Sequence, residues 1–253
     1  MALLRCDFFS DVLEVGTSMT VLLPQAGEHQ IGVETVGAAG PPPVLYLLHG
    51  LSDDATAWQR YTGIERYAAQ LGLAVVMPQV GRSFYADEPT GGRHWTFLSE
   101  ELPRVVESFF RVSTAREDTF VAGLSMGGYG ALRWALRDPG RFAAAASLSG
   151  ALDLSDLYEA RRPLFDRVFG GRPGPDDDVF AMLEQAEAPT LPSFYVGCGT
   201  EDELLPGTER FADAASARGC DVHVDLRPGG HEWDLWDPVV RDVLAWLPLR
   251  RDR

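Results

Sequence analysis

The chain has 253 residues, 45% of them hydrophobic, and a formal net charge of −15. That length suits one domain with a full-sized core, or at most a domain with an insertion. Such an acidic chain is repelled by nucleic acid and by anionic membrane, so neither is expected as a partner.

The opening residues, Met1 to Asp7, lack a basic start followed by a long apolar run. No secretory signal is expected there, and no apolar stretch reaches membrane-spanning length. Three widely spaced cysteines, Cys6, Cys198 and Cys220, suggest neither a disulfide framework nor a zinc knuckle. Free thiols fit a reducing, cytoplasmic compartment.

Arg5 to Phe9 and Thr17 to Leu23 read as antiparallel strands joined by a turn at Glu14 to Gly16. Ala38 to Pro43 reads as a Gly/Pro loop. Val44 to Leu48 is a continuous apolar run, expected as a central strand. Ile64 to Leu71 has helical spacing, and Gly72 stops it. Leu73 to Met77 is the next strand, ended by Pro78. Val80 to Gly92 is a polar, Gly-rich loop. Leu102 to Phe110 is predicted helical, with Pro103 in its first turn. A strand from Thr119 to Ala122 leads to a helix from Met126 to Arg137, and Ala143 to Leu148 is a further strand.

The rhythm breaks from Asp153 to Pro192, where one or two short helices are expected as an excursion from the sheet. The run Asp176-Asp177-Asp178 within it suits a solvated loop or helix start better than a metal site. Ser193 to Val196 resumes as a strand. Thr208 to Ala217 is helical, Val222 to Leu226 alternates as a strand, and Val239 to Trp246 is a closing helix. Leu249 to Arg253 is expected as a frayed tail. Alternation of strands and helices argues for an α/β fold with a mostly parallel sheet. Functional groups then gather at the carboxyl ends of strands.

Gly123-Leu124-Ser125-Met126-Gly127 fits the G-x-S-x-G pattern between a predicted strand and a predicted helix. A serine on so tight a turn is pushed out of the sheet with its oxygen exposed. A hydroxyl is a poor nucleophile without a base. Of five histidines, His231 is the best candidate, since it follows a strand by a short Pro-Gly-Gly loop. His49 is expected to shape its loop, His94 to line the site, and His223 to be structural. The base needs a carboxylate to hold its tautomer. Asp202, after the Cys198 strand end, is preferred to Asp225, Asp234 and Asp153. An oxyanion would need two donors, and the N–H groups of Leu51 and Met126 occupy the required places. Gly50 allows close approach. Trp58, His94, Trp95, Trp233 and Trp236 fall where aromatics would wall a pocket. Gly50, Trp58 and Trp233 are the expected substrate-binding residues.

Leu47-Leu48-His49-Gly50-Leu51, Ser99-Glu100-Glu101-Leu102-Pro103, the turn at Ser125, Cys198-Gly199-Thr200-Glu201-Asp202 and Gly229-Gly230-His231-Glu232-Trp233 together resemble the esterase D-like branch of the α/β-hydrolases. The opening, with Phe8-Phe9-Ser10, is similar to the tributyrin-esterase group. The resemblance implies one α/β-hydrolase domain over residues 1–253, with a cap-like insertion at 153–192. It implies a serine carboxylesterase acting on short-chain acyl esters, with Ser125, Asp202 and His231 as catalytic triad and no cofactor or metal. S-formylglutathione hydrolysis or acyl transfer is the alternative, and a non-catalytic binding module is the alternative from another class. The sequence leaves open the natural ester and whether the chain forms a homo-oligomer.

Overall fold

The structure is a computed structural model that describes residues 1–27, 29, 31–32, 34–37 and 40–250. The start of the expected Ala38 to Pro43 loop and the end of the expected tail lie outside the described residues.

Eight strands form one sheet in the order β1-β2-β4-β3-β5-β6-β7-β8. They are β1 (Ala2–Ser10), β2 (Val15–Leu23), β3 (Val44–Leu48), β4 (Ala74–Pro78), β5 (Thr119–Leu124), β6 (Ala144–Leu148), β7 (Ser193–Gly199) and β8 (Val222–Arg227). β1 and β2 are an antiparallel hairpin, and β2 pairs antiparallel with β4. All other pairings are parallel. The order reverses at β3, which has β4 on one side and β5 on the other. Loops leaving β3 and β5 therefore open a crevice at their carboxyl ends.

The helices are α1 (Ala57–Tyr61), α2 (Ile64–Ala69), α3 (His94–Thr96), α4 (Leu102–Phe109), α5 (Met126–Arg137), α6 (Leu154–Ala160), α7 (Arg162–Phe169), α8 (Val179–Gln185), α9 (Leu205–Ala217) and α10 (Trp233–Trp246). Strands β3 to β6 are buried at every residue. That is why they read as unbroken apolar runs, since helices cover both faces. Alternate residues of β3 serve different sides. Tyr46 and Leu48 pack with Leu102, Tyr129, Leu132 and Phe211. Leu45 and Leu47 pack with Ile64, Ala68, Val239 and Val243.

Helix α1 was not expected, α9 begins at Leu205 rather than Thr208, and three further elements differ more widely from expectation. The helix expected to begin at Leu102 begins at His94 and runs through a π-helical turn, Phe97–Glu101, into α4. Pro103 explains the π turn, because it has no N–H to donate to the Ser99 carbonyl and its ring crowds the preceding turn. The Leu102 N–H reaches back to the Phe97 carbonyl instead. The closing helix begins at Trp233 and carries Pro238 inside it. Burial of Leu235 and Trp236 outweighs the proline there. The 153–192 stretch holds three helices and a short 3-10 turn, Ala188–Thr190. Within its acidic run, Asp178 caps α8 through the Phe180 N–H at 2.9 Å. Asp177 pairs with buried Arg133 at 2.8 Å.

The π turn delivers Glu101 to the N-terminal hairpin. Its buried carboxylate accepts from the Ser10 hydroxyl, the Asp11 N–H at 2.8 Å and the Val12 N–H at 3.3 Å. A carboxylate accepts all three as charge-assisted bonds, whereas an amide would keep only neutral bonds to the two N–H groups and force the Ser10 hydroxyl to accept instead of donate. Glu101→Gln is expected to cost about 2 kcal/mol, as for other charge-assisted bonds. For a chain of this size that lowers the Tm by roughly 5 °C. An unchanged melting temperature would show that the carboxylate does not anchor the hairpin.

Candidate active site

Ser125 sits between β5 and α5 with φ 53° and ψ −118°. Few L-residues adopt such a backbone, and it aims the side chain out of the sheet. The turn closes because its flanks have no side chains. A Cβ on Gly123 would lie 2.3 Å from the Gly127 carbonyl oxygen, and one on Gly127 would lie 2.4 Å from the Leu48 oxygen. The Ser125 N–H donates to Leu148 O at 2.9 Å, and Ser125 O accepts from Ala151 at 3.0 Å. The residue is thereby tied to the end of β6 from both sides.

His231 Nε2 lies 3.0 Å from Ser125 Oγ, and its Nδ1 lies 2.8 Å from Asp202 Oδ2. A carboxylate can only accept, so Nδ1 carries the proton and Nε2 accepts from the serine hydroxyl. The imidazole also meets Trp236 edge-on, with ring centres 4.8 Å apart. The loops bearing acid and base are joined directly, by Thr200 N–H to Arg227 O at 2.9 Å and Glu201 N–H to Gly229 O at 3.0 Å.

The Asp202 side chain is fully buried. Burial opposes its ionisation, but hydrogen bonds from His231, the Leu204 N–H and Ser149 outweigh that and hold its carboxyl below the usual range. The other acids are engaged elsewhere. Asp225 accepts from the Tyr195 hydroxyl and from Arg227 Nε at 2.9 Å. Asp153 starts α6 and pairs with Arg210. Asp234 lies in the first turn of α10.

Leu51 and Met126 line the same cleft as Ser125 and His231. The Met126 N–H opens α5 and so has no acceptor in its own helix. The Leu51 N–H has no partner among the described residues. Its loop is held rigid around it. His49 is buried, with its Nδ1–H on Gly50 O at 2.8 Å and its Nε2 accepting from the Val80 N–H at 3.2 Å. The bond accepted at Nε2 requires a neutral ring, and burial lowers its pKa. The Tyr85 hydroxyl donates to His49 O at 2.8 Å. His49 thus shapes the loop, as expected.

The cleft has a volume of about 690 Å³. Gly50 and Trp233 line it, but Trp58 does not. Trp58 is buried behind the wall, where its Nε1–H donates to Leu48 O at 3.0 Å and its ring supports Trp233 edge-on at 5.3 Å. Adjacency in sequence placed Trp58 in α1, near the site, but α1 turns its side chain into the core. His94 and Trp95 also stand away from the cleft. Trp95 packs under the guanidinium groups of Arg133 and Arg137. His223 lies on edge strand β8 and stacks on Tyr195 at 4.7 Å.

Sequence reasoning missed Ser149, which follows β6 and has no exposed surface. It holds φ 46° and receives the Trp236 indole N–H at 3.1 Å. Its hydroxyl bonds to Asp202. The signal was a serine at the end of a strand beside the nucleophile strand. Cys198 also contacts Ser149, and burial pushes its thiol up to about 11. It is therefore no rival nucleophile at neutral pH.

Comparison with known proteins identifies the family. The family model described as "Putative esterase" matches residues 20–247. An acetyl esterase of Caldicellulosiruptor saccharolyticus is 29% identical over 263 residues, covering 98% of each chain. The fluorophosphonate-binding serine hydrolase FphF of Staphylococcus aureus is 31% identical, with a TM-score of 0.87 and 98% of each chain covered. The S-formylglutathione hydrolase FrmB of the same organism is also 31% identical, with a TM-score of 0.85 over 98% of each chain. The chain belongs to this esterase family and is a carboxylic ester hydrolase with the α/β-hydrolase fold.

Proposed function

We propose that the chain hydrolyses short-chain acyl esters through an acyl-enzyme on Ser125. The observation that carries the proposal is the unbroken chain Asp202–His231–Ser125, opening into a cleft also lined by Leu51 and Met126, whose N–H groups have no partner among the described residues. His231 takes the Ser125 proton while Oγ attacks the ester carbonyl. Asp202 keeps the imidazole in its working tautomer and stabilises the imidazolium. The N–H groups of Leu51 and Met126 receive the oxyanion. The imidazolium returns its proton to the departing alcohol. Water then attacks the acyl-enzyme by the same route, releasing the acid and restoring Ser125.

Small acyl groups are favoured by the way the cleft is bounded. Its apolar lining, with Leu51, Leu124, Met126, Leu157 and Trp233, gives way to Asp53, Arg82, Arg161, Glu203 and Glu232. A long acyl chain would have to desolvate those charges. Residues 153–192 act as a cap, since Leu157 and Arg161 come from that stretch. The relative named as an acetyl esterase supports the small acyl group. The relative named as an S-formylglutathione hydrolase supports thioester turnover as a second reading. Free Cys6, Cys198 and Cys220 support a reducing, cytoplasmic setting.

Ser125→Ala is expected to abolish fluorophosphonate labelling and to cut turnover of p-nitrophenyl acetate and butyrate at least about a thousandfold. Circular dichroism should remain native. Asp202→Asn should cost about a thousandfold as well, while Asp225→Asn should stay near wild type. Equal losses at Asp202 and Asp225 would contradict the acid assignment. Higher activity on octanoate than on acetate would contradict the acyl preference.

Ser149→Ala tests whether that hydroxyl works through Asp202. We expect kcat to fall about tenfold with KM little changed, and stability at pH 7 to drop by about 2 kcal/mol, as for a bond to a charged group. Because the native carboxyl titrates below its unfolded value, its stabilisation is present at neutral pH and is lost as pH falls through the native pKa. The gap between wild type and variant should therefore narrow in acid. A gap constant with pH would mean that Ser149 acts only as packing.

A further inference from the structure

We propose that Arg82 and Arg161 form an anion subsite at the mouth of the cleft, selecting esters that carry a carboxylate or phosphate group. This inference rests on the esterase reading of the same cleft. All 22 basic side chains in the sequence are arginines, against 37 acids. In such a chain a guanidinium readily finds a carboxylate, and most of those near this surface do so. Arg167 pairs with Glu88, Arg162 with Asp166 and Arg172 with Glu159. Arg82 and Arg161 are the exceptions beside the cleft. Both are exposed, and neither side chain has an ion pair or hydrogen bond among the described residues.

Their backbones are nonetheless fixed. The Arg82 carbonyl accepts from Arg167 Nη2 at 2.8 Å. The Arg161 N–H donates to the Leu157 and Tyr158 carbonyls at 3.1 and 3.2 Å, and its own carbonyl accepts from Leu164 and Phe165. Arg161 stands one turn beyond Leu157, so the two share a helix face, and both line the cleft. Arg82 and Arg161 also line an adjoining hollow, together with Ala160, Pro163, Leu164 and Arg167. Among the described residues, no carboxylate lines that hollow. The acids of the cleft, Asp53, Glu203 and Glu232, belong to the loops after β3, β7 and β8. The two arginines come from the loop after β4 and from the α6–α7 junction. A charged substrate thus meets a basic end that opens outward and an acidic rim elsewhere. Planar guanidinium forks suit carboxylate and phosphate oxygens.

The test uses matched ester pairs with the full-length protein. One arm compares 4-carboxyphenyl acetate with 4-carbamoylphenyl acetate, placing the charge on the leaving group. The other compares p-nitrophenyl hemiglutarate with p-nitrophenyl butyrate, placing it on the acyl group. The readout is the anionic-to-neutral ratio of kcat/KM in wild type, Arg82→Gln, Arg161→Gln and the double variant. In one arm the ratio should fall about threefold for each single variant and about tenfold for the double, in keeping with exposed ion pairs. The effect should shrink between 50 and 500 mM salt, as screening requires. The arm that responds identifies the side of the ester bearing the charge. Ratios that stay constant in both arms, with neutral esters still turned over, would overturn the subsite and leave the esterase intact. Wild-type protein that turns over none of the four esters would overturn both.

Discussion

The site depends on one constrained residue, Ser125, whose backbone is held at φ 53° where β5 turns into α5. Such a conformation costs about 1–3 kcal/mol. It persists because the end of β6 holds its N–H at Leu148 O and the loop just beyond holds its carbonyl through the Ala151 N–H. Once the hydroxyl is fixed above β5, the sheet order decides what can reach it. The loop after β3 brings Leu51 to the same cleft, the end of β6 brings Ser149, the loop after β7 brings Asp202 and the loop after β8 brings His231. Each strand from the switch point to that edge of the sheet supplies one group.

Electrostatics then divides the acids and bases by task. Asp202 is buried yet ionised, because three donors converge on it. Asp225, in the same part of the sheet, is held below its usual range as well, but by Arg227 and Tyr195 against the cost of burial. One carboxylate therefore faces the imidazole, while the other closes a structural cluster at β8. His49 is buried and neutral, and serves as a strut for the loop that presents Leu51. The surface acids that make the chain so negative leave the Arg82 and Arg161 end of the cleft unpaired.

Much of this was legible in the sequence, for identifiable reasons. Gly123, Ser125 and Gly127 form a local pattern with one steric meaning; the Asp202 loop follows β7, whose burial makes it an apolar run, and the His231 loop follows edge strand β8, legible by its alternation. What was not legible depends on contacts distant in sequence. Helix α1 spans five residues, too few to show a helical period. The early start of the α3–α4 helix was hidden by Pro103, which reads as a beginning where it marks a π turn. Pro238 hid the start of α10 in the same way. Trp58 was placed near the cleft correctly in sequence and wrongly in orientation, because only the packing of α1 on β3 turns its ring inward. Ser149 lay outside the expected set because a serine at a strand end announces nothing until Asp202 and Trp236 converge on it.

The central claim is that the acyl group of the substrate passes through Ser125. Rapid mixing with a p-nitrophenyl ester, acid quenching and peptide mass mapping test it directly. The account predicts a transient acyl adduct on the peptide containing Ser125, formed as fast as the first equivalent of p-nitrophenol is released. Turnover with the adduct on another residue, or a p-nitrophenol burst that leaves Ser125 unmodified, would contradict it.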